Sequence, residues 1–162
     1  MPWTVAIDPA ARGFAWALLR DGGALAGAGL GARPEDIPIP AGKVEWVMER
    51  PQNYARFGVA HKDLDRLRAT LAALAAFAKG RGDAVHYVTP FAWKGNVPKR
   101  IHHNRLASKL RAGDVFLASP ADPGYDHNVS DAVTLGFTHV GRIGRGGTRG
   151  NAHGALVDSD RP

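Results

Sequence analysis

TVAIDPAARGFAWALL, residues 4–19, sets an acid between two apolar runs. Thr4 to Ile7 reads as a short buried strand with Asp8 at its end. Pro9 and Gly13 punctuate the chain, and a second apolar run begins at Phe14. A carboxylate at such a strand edge costs free energy unless a metal or another cation pairs with it. Two further acids recur in similar settings. Glu49 closes the run VEWVM, and Asp131 opens the run DAVTLGF just after His127 and Asn128. Three separated acids, each beside a buried element, point to divalent-metal and phosphate chemistry.

Outward from this stretch, residues 3–8, 13–20 and about 23–30 read as three successive strands. Asp21-Gly22-Gly23 is a hairpin signal. The third strand, within GGALAGAGLG, is weakened by its glycines. ARPEDIPIPAGK, residues 32–43, reads as an extended surface connection. A fourth strand covers Lys43 to Met48. The clearest helix spans about His61 to Lys79, with Leu64, Leu67, Leu71, Leu74 and Phe77 on one face. Ala84 to Thr89 is a fifth strand, stopped by Pro90. A basic helix is expected over 99–112, and a last helix over about 127–140 with Asp126 as its N-cap. This order predicts an α/β domain with a mixed five-stranded sheet flanked by helices. Residues 1–142 form the expected domain, and residues 143–162 a flexible Gly/Arg-rich tail.

At 162 residues the chain suffices for one compact domain. It has no cysteine, which excludes a disulfide framework and a thiolate zinc site. No segment approaches the roughly 20 apolar residues of a membrane span, so a soluble, cytoplasmic protein is expected. The formal net charge is +6 and the pI about 10.1. The charge is concentrated: Lys94, Lys99, Arg100, Arg105, Lys109 and Arg111 share one stretch, and Arg142, Arg145 and Arg149 another. That placement favours a polyanionic partner such as nucleic acid over a merely solvated basic surface.

Each acid also has an ordinary reading. Asp8-Pro9 suits a turn, Glu49 before Arg50 a surface ion pair, and Asp131 a helix surface. His127, Asn128 and Asp131 would share one helical face. His127 equally suits a cap or surface position, while Asn128 offers a carbonyl oxygen without charge.

As an ordered set, these segments resemble the RuvC-type Holliday junction resolvases. IDPAARGFAWALL is similar to that family's first motif, VEWVMERPQN to the strand ending in a catalytic Glu, and DHNVSDAVTLGF to the helix with a catalytic Asp-Ala pair. VTPFAWK is similar to its proline-then-lysine stretch after the fifth strand. The resemblance spans roughly residues 3–142. It implies an RNase H-like fold, two Mg²⁺ or Mn²⁺ ions, a homodimer and cleavage of branched DNA such as four-way junctions. By position, Asp8, Glu49 and Asp131 become metal ligands, and Asn128 stands where the family has a fourth, acidic ligand, with His127 as the alternative. Ala10 replaces the usual glycine, Arg12-Gly13 stands where Thr-Gly is usual, and residues 31–43 are too short for the family's helix. The brevity is similar to phage or viral members, which would place the protein in a bacterial host's cytoplasm.

Lys94, Lys99, Arg100, Arg105 and Lys109 are expected to contact phosphates without reading sequence. Tyr54 and Phe57, just after Glu49, stand where the resembled family stacks an aromatic on bases; local packing is the alternative for Phe57. Trp93 is expected to pack beneath the site. The leucine helix serves ordinary core packing first and an oligomer seam second. Two rival functions remain: a non-catalytic nucleic-acid-binding module of the same fold, favoured by Asn128, and an RNA-processing nuclease. A sugar-kinase-type phosphotransferase is disfavoured, because PAARG after Asp8 offers no hydroxyl for nucleotide phosphates.

Overall fold

The computed structural model describes residues 2–10, 12–51, 61–114 and 126–144. Five strands form one sheet: β1 (Trp3–Ala10), β2 (Gly13–Leu19), β3 (Leu25–Gly31), β4 (Val44–Glu49) and β5 (Ala84–Val88). Their order is β3-β2-β1-β4-β5. The first three strands form an antiparallel meander, while β4 runs parallel to β1 and β5 parallel to β4. The helix α1 (His61–Gly80) makes the crossover from β4 to β5, followed by α2 (Pro90–Lys94), α3 (Lys99–Lys109) and α4 (His127–His139).

Strand alternation divides the core in two. Val5, Ile7, Phe14, Trp16, Leu18, Val44, Trp46 and Met48 face one way, against Leu71, Leu74 and Ala78 of α1. Ala6, Ala15, Ala17, Leu19 and Val47 face the other way, against Val129, Ala132, Val133 and Phe137 of α4. The alanines on this second face let α4 sit close to the sheet. A methyl group added at Gly136 would lie 2.6 Å from Leu19 Cδ1 and 3.2 Å from the Ala6 Cβ. On the first face, a Cβ at Gly29 would lie 3.2 Å from the Trp16 ring and one at Gly27 3.5 Å from it. The glycines that weaken β3 as a sequence signal are therefore the bed on which the Trp16 indole lies.

Several expectations are corrected. β1 does not end at Asp8. Its pairing with β4 extends to Ile7 opposite Met48, but its pairing with β2 continues through Asp8 opposite Ala15 to Ala10 opposite Gly13. Asp8 is thus inside a strand, at the point where β4 parts from β1. Gly13 permits the following turn, with φ +118° and a Cβ position only 2.3 Å from the Gly31 oxygen. Pro90 stops β5 as expected but also starts α2. Thr89 caps that helix by accepting the Ala92 N–H at 3.2 Å, and proline is favoured in a first helical turn. The basic helix ends at Lys109, short of 112. Asp126 is the expected N-cap of α4 and accepts the N–H groups of Asn128 and Val129.

The leucine stripe of α1 is used within the chain. Leu64, Leu71 and Leu74 are buried and Leu67 is half-buried, whereas Ala72, Ala73 and Ala76 face outward.

Two buried carboxylates fasten the periphery. Asp83 accepts the Val44 N–H (3.1 Å), the Trp46 indole N–H (3.2 Å) and Arg81 Nε (2.8 Å). Burial works to raise its pKa, but these donors outweigh it and hold it below the ordinary value. Asp114 accepts the N–H groups of Leu25 (2.8 Å) and Arg111 (2.7 Å) and pairs with Arg142 at 2.9 Å. Arg142 also donates to the Gly23 and Lys109 carbonyls and lies over the Phe137 ring. Arg142 is therefore committed to the fold rather than to a free tail, and Ile143 is buried in the α4 core, one residue beyond the expected boundary. Arg145, Arg149 and the rest of the expected tail lie outside the described residues. Among the described residues, no helix is long and apolar enough to cross a membrane.

Candidate active site

Alternation along the strands decides which acids meet. Asp8 shares the face of Ala6, and Glu49 that of Val47, because each lies two residues further along its strand. The parallel register sets Ile7 beside Met48, so Asp8 and Glu49 are the next residues of neighbouring strands. Asp131 is on α4, the helix covering this same face. All three are buried, with exposures of 8 % for Asp8, 9 % for Glu49 and 8 % for Asp131. Glu49 ends β4, Asp8 stands where β4 parts from β1, and Asp131 faces them from α4, near the carboxyl ends of the parallel strands, where open α/β sheets place their ligands.

The acids repel one another. Burial raises the Asp8 carboxyl well above its ordinary pKa, and the charges of Glu49 and Asp131 push it further; Lys94 and Lys99 act in the opposite direction. Burial likewise raises Glu49, against the pull of the Lys94 charge and of hydrogen bonds from Trp93 and Lys94.

Helices α2 and α3 supply the donors. Trp93 Nε1 donates to Glu49 Oε2 at 2.6 Å, and Lys94 Nζ approaches the same oxygen at 3.4 Å. Lys99 Nζ lies 3.1 Å from Asp131 Oδ2, and His103 Nε2 lies 3.2 Å from Asp131 Oδ1. Lys99 and His103 are four residues apart, hence on one face of α3. His102 is buried and directs Nε2 to the Lys94 carbonyl at 3.1 Å. That nitrogen faces an acceptor, so it carries the hydrogen. Burial lowers the His102 pKa, which suits the neutral ring. A cleft of about 150 Å³ opens here, lined by Lys94, Gly95, Val97, Lys99, His102 and Asp131.

The expected site residues divide as follows. Asp8, Glu49 and Asp131 converge, and Lys94 and Lys99 point at them. Asn128 is half-buried and His127 exposed in the first turn of α4. Arg100, Arg105 and Lys109 are exposed along α3. Tyr54 and Phe57 lie outside the described residues. Trp93 packs beneath the site as expected, but also bonds to Glu49. His103 is not among the expected site residues; its signal is the spacing of four from Lys99 within KRIHH.

Three carboxylates are an oxygen donor set that suits Mg²⁺ or Mn²⁺. Among the described residues, no three acids or histidines stand in a ready-made ligating arrangement. Glu49 and Asp131 instead face lysine ammoniums, and their mutual repulsion with Asp8 calls for more positive charge than the lysines supply. The donor chemistry therefore fits a divalent cation, and the ligating positions remain to be taken up.

No family model matches the chain, and no curated protein matches it. Solved structures do. The chain is similar to the structure of Thermus thermophilus RuvC, at 14 % identity and a TM-score of 0.56, over 85 % of this chain and 92 % of that one. It is also similar to T. thermophilus RuvC in complex with Holliday junction substrate, at 12 % identity and a TM-score of 0.50, with the same coverage. At these identities the likeness establishes the fold: an RNase H-like mixed sheet of RuvC type flanked by helices, as the sequence motifs imply.

Proposed function

We propose that this protein is a metal-dependent endonuclease that hydrolyses phosphodiester bonds in branched DNA such as Holliday junctions. The observation that supports this reading best is the convergence of Asp8, Glu49 and Asp131 on one face of a RuvC-type sheet, where β4 ends and parts from β1. A solved protein of the same fold in complex with a Holliday junction supports the choice of substrate.

In this reading Asp8, Glu49 and Asp131 hold Mg²⁺ or Mn²⁺, with Asn128 or His127 completing the set. When bound, two such ions supply an activated water and charge stabilisation at the leaving oxygen. The chain's own residues do the rest. Trp93 fixes the Glu49 carboxylate by its N–H, and His103 orients that of Asp131. Lys94 and Lys99, on the rim of the cleft, draw the DNA backbone to the acids. Arg100, Arg105 and Lys109 extend that positive surface along α3 and bind phosphates without reading sequence. Two-fold symmetry in a four-way junction calls for two active sites, so a homodimer is part of the proposal.

The asymmetry at residue 128 favours a second reading, a non-catalytic binding module, because an amide replaces a charged ligand there. One experiment separates the readings. Purified protein is given a four-way junction, a linear duplex and an RNA stem, each with Mg²⁺, Mn²⁺ or EDTA, beside the Glu49→Gln variant. The proposal expects junction cleavage with metal, none with EDTA and none by the variant. Tight binding without cleavage would leave the module reading, and preference for the RNA stem would move the substrate to RNA. Light scattering with and without junction tests the dimer.

A further inference from the structure

Each of two acids in the site has the same pair of partners. Glu49 has one ammonium, Lys94 at 3.4 Å, and one ring nitrogen, Trp93 Nε1 at 2.6 Å. Asp131 has one ammonium, Lys99 at 3.1 Å, and one ring nitrogen, His103 Nε2 at 3.2 Å. Among the described residues, Asp8 has no ion pair of its own. We propose that Lys94 and Lys99 are built-in counter-ions, which hold Glu49 and Asp131 while no divalent cation is bound and turn to DNA phosphates when one arrives. This rests on the metal-nuclease reading above.

The geometry supports an exchange at both positions. A divalent ion takes oxygen ligands at about 2.0–2.1 Å for Mg²⁺, with twice the charge of an ammonium, so it outcompetes a lysine at 3.1 or 3.4 Å. Lysine is a compact charge on a flexible four-carbon stem, suited to swinging away. Both lysines line the same open cleft, so each has somewhere to go. The ring nitrogens have no such freedom. Trp93 and His103 are buried and would keep the carboxylates aimed after the ammoniums leave. His102 holds the Lys94 backbone carbonyl, so the side chain can move without its helix. Two ammoniums against three carboxylates also leave the cluster one positive charge short of balance, which attracts the incoming cation.

The test uses the full chain and Lys94→Met and Lys99→Met, which keep the apolar stem and remove the charge. Mn²⁺ binding is measured by titration calorimetry without DNA, after circular dichroism has confirmed folding. Each variant is expected to bind Mn²⁺ several-fold more tightly than the wild type, because a competing cation is gone. Duplex binding is then measured against salt, with Ca²⁺ or EDTA. Ca²⁺ should steepen the wild-type slope of log affinity against log salt by up to about two units, about 0.9 per lysine released to a phosphate. The double variant should lose that increment. Unchanged or weaker Mn²⁺ binding in the variants overturns the exchange. Lys99→Met, at an exposed position, decides the matter if Lys94→Met does not fold. Asp8→Asn separates the two levels: wild-type Mn²⁺ binding that this variant abolishes upholds the metal reading whatever the lysines do. Absence of Mn²⁺ binding by the wild type defeats both.

Discussion

Asp8→Asn should make the metal-free protein more stable while abolishing cleavage. Asparagine keeps the side chain's shape and removes its charge. Asp8 and Glu49 each follow the last paired residues, Ile7 and Met48, of adjacent parallel strands, and such strands are about 4.8 Å apart. Two charges about 5 Å apart at an effective dielectric of about 20 repel by roughly 3 kcal/mol. Lys94 and Lys99 offset part of this, leaving a gain of about 1–2 kcal/mol. For a domain of this size that is a rise in Tm of roughly 2–8 °C. The pH dependence follows from the direction of the shift. A carboxyl whose folded pKa is raised contributes stability that is complete below its unfolded pKa and lost as pH rises through the folded one. The wild type in EDTA should therefore be less stable at about pH 8 than at about pH 5, and the lead of Asp8→Asn should shrink as the solution is acidified. Thermal unfolding of both proteins at the two pH values, in EDTA, reads this directly. A variant that melts at or below the wild type at about pH 8, or whose lead grows in acid, would refute the account of Asp8 as a strained buried charge.

Trp93→Phe removes the 2.6 Å bond to Glu49 and keeps an aromatic, though smaller, ring in the core. Its loss raises the Glu49 pKa further, so the acid limb of the pH–rate profile should move to higher pH, with a loss of about 1.5–3 kcal/mol, the usual worth of a bond to a charged group. Asn128→Asp should raise metal affinity or activity, read from cleavage against metal concentration; no effect there, with loss of cleavage in His127→Ala, would transfer the ligand role to His127. Replacing Lys99 and Arg100 together by Ala should flatten the salt slope of duplex binding by up to about two units and weaken junction and duplex alike, and an unchanged slope would mean that α3 faces away from DNA. Asp83→Ala should cost about 3–5 kcal/mol in denaturant unfolding, since it strands Arg81, the Trp46 indole and the Val44 N–H; a cost under about 1 kcal/mol would show that water replaces the carboxylate.

The sheet was legible because its signals are local. Alternation, the Asp21-Gly22-Gly23 hairpin and the leucine period of α1 each follow from a short window of sequence. The acids were legible as an ordered set, and strand parity then brings Asp8 and Glu49 to one face. What was missed depends on contacts between distant segments. β1 outlasts its expected end because β2, not β4, pairs with its last residues. Pro90 reads as a stop and serves as a start, since only the Thr89 cap turns the chain into α2. His103 and Lys99 acquire meaning only where α3 meets α4, and no window of sequence contains both helices. Arg142 resembled its neighbours in a basic tail until Asp114 and the Gly23 carbonyl were found against it.

The bond from Arg142 to the Gly23 carbonyl spans 119 residues, and that from the Leu25 N–H to Asp114 spans 89. The first waits for synthesis to pass α4 and the second for it to pass α3, long after the antiparallel strands have been made. Until then the alanine face of the sheet, with Leu19 and Val47, lacks its cover, and an unfinished chain is sticky there. The helix that seals this face is also the one that brings Asp131 to the other acids. Burial of this apolar face and completion of the acid cluster are thus a single event. A truncated or partly folded chain would have neither a finished core nor a complete acid cluster.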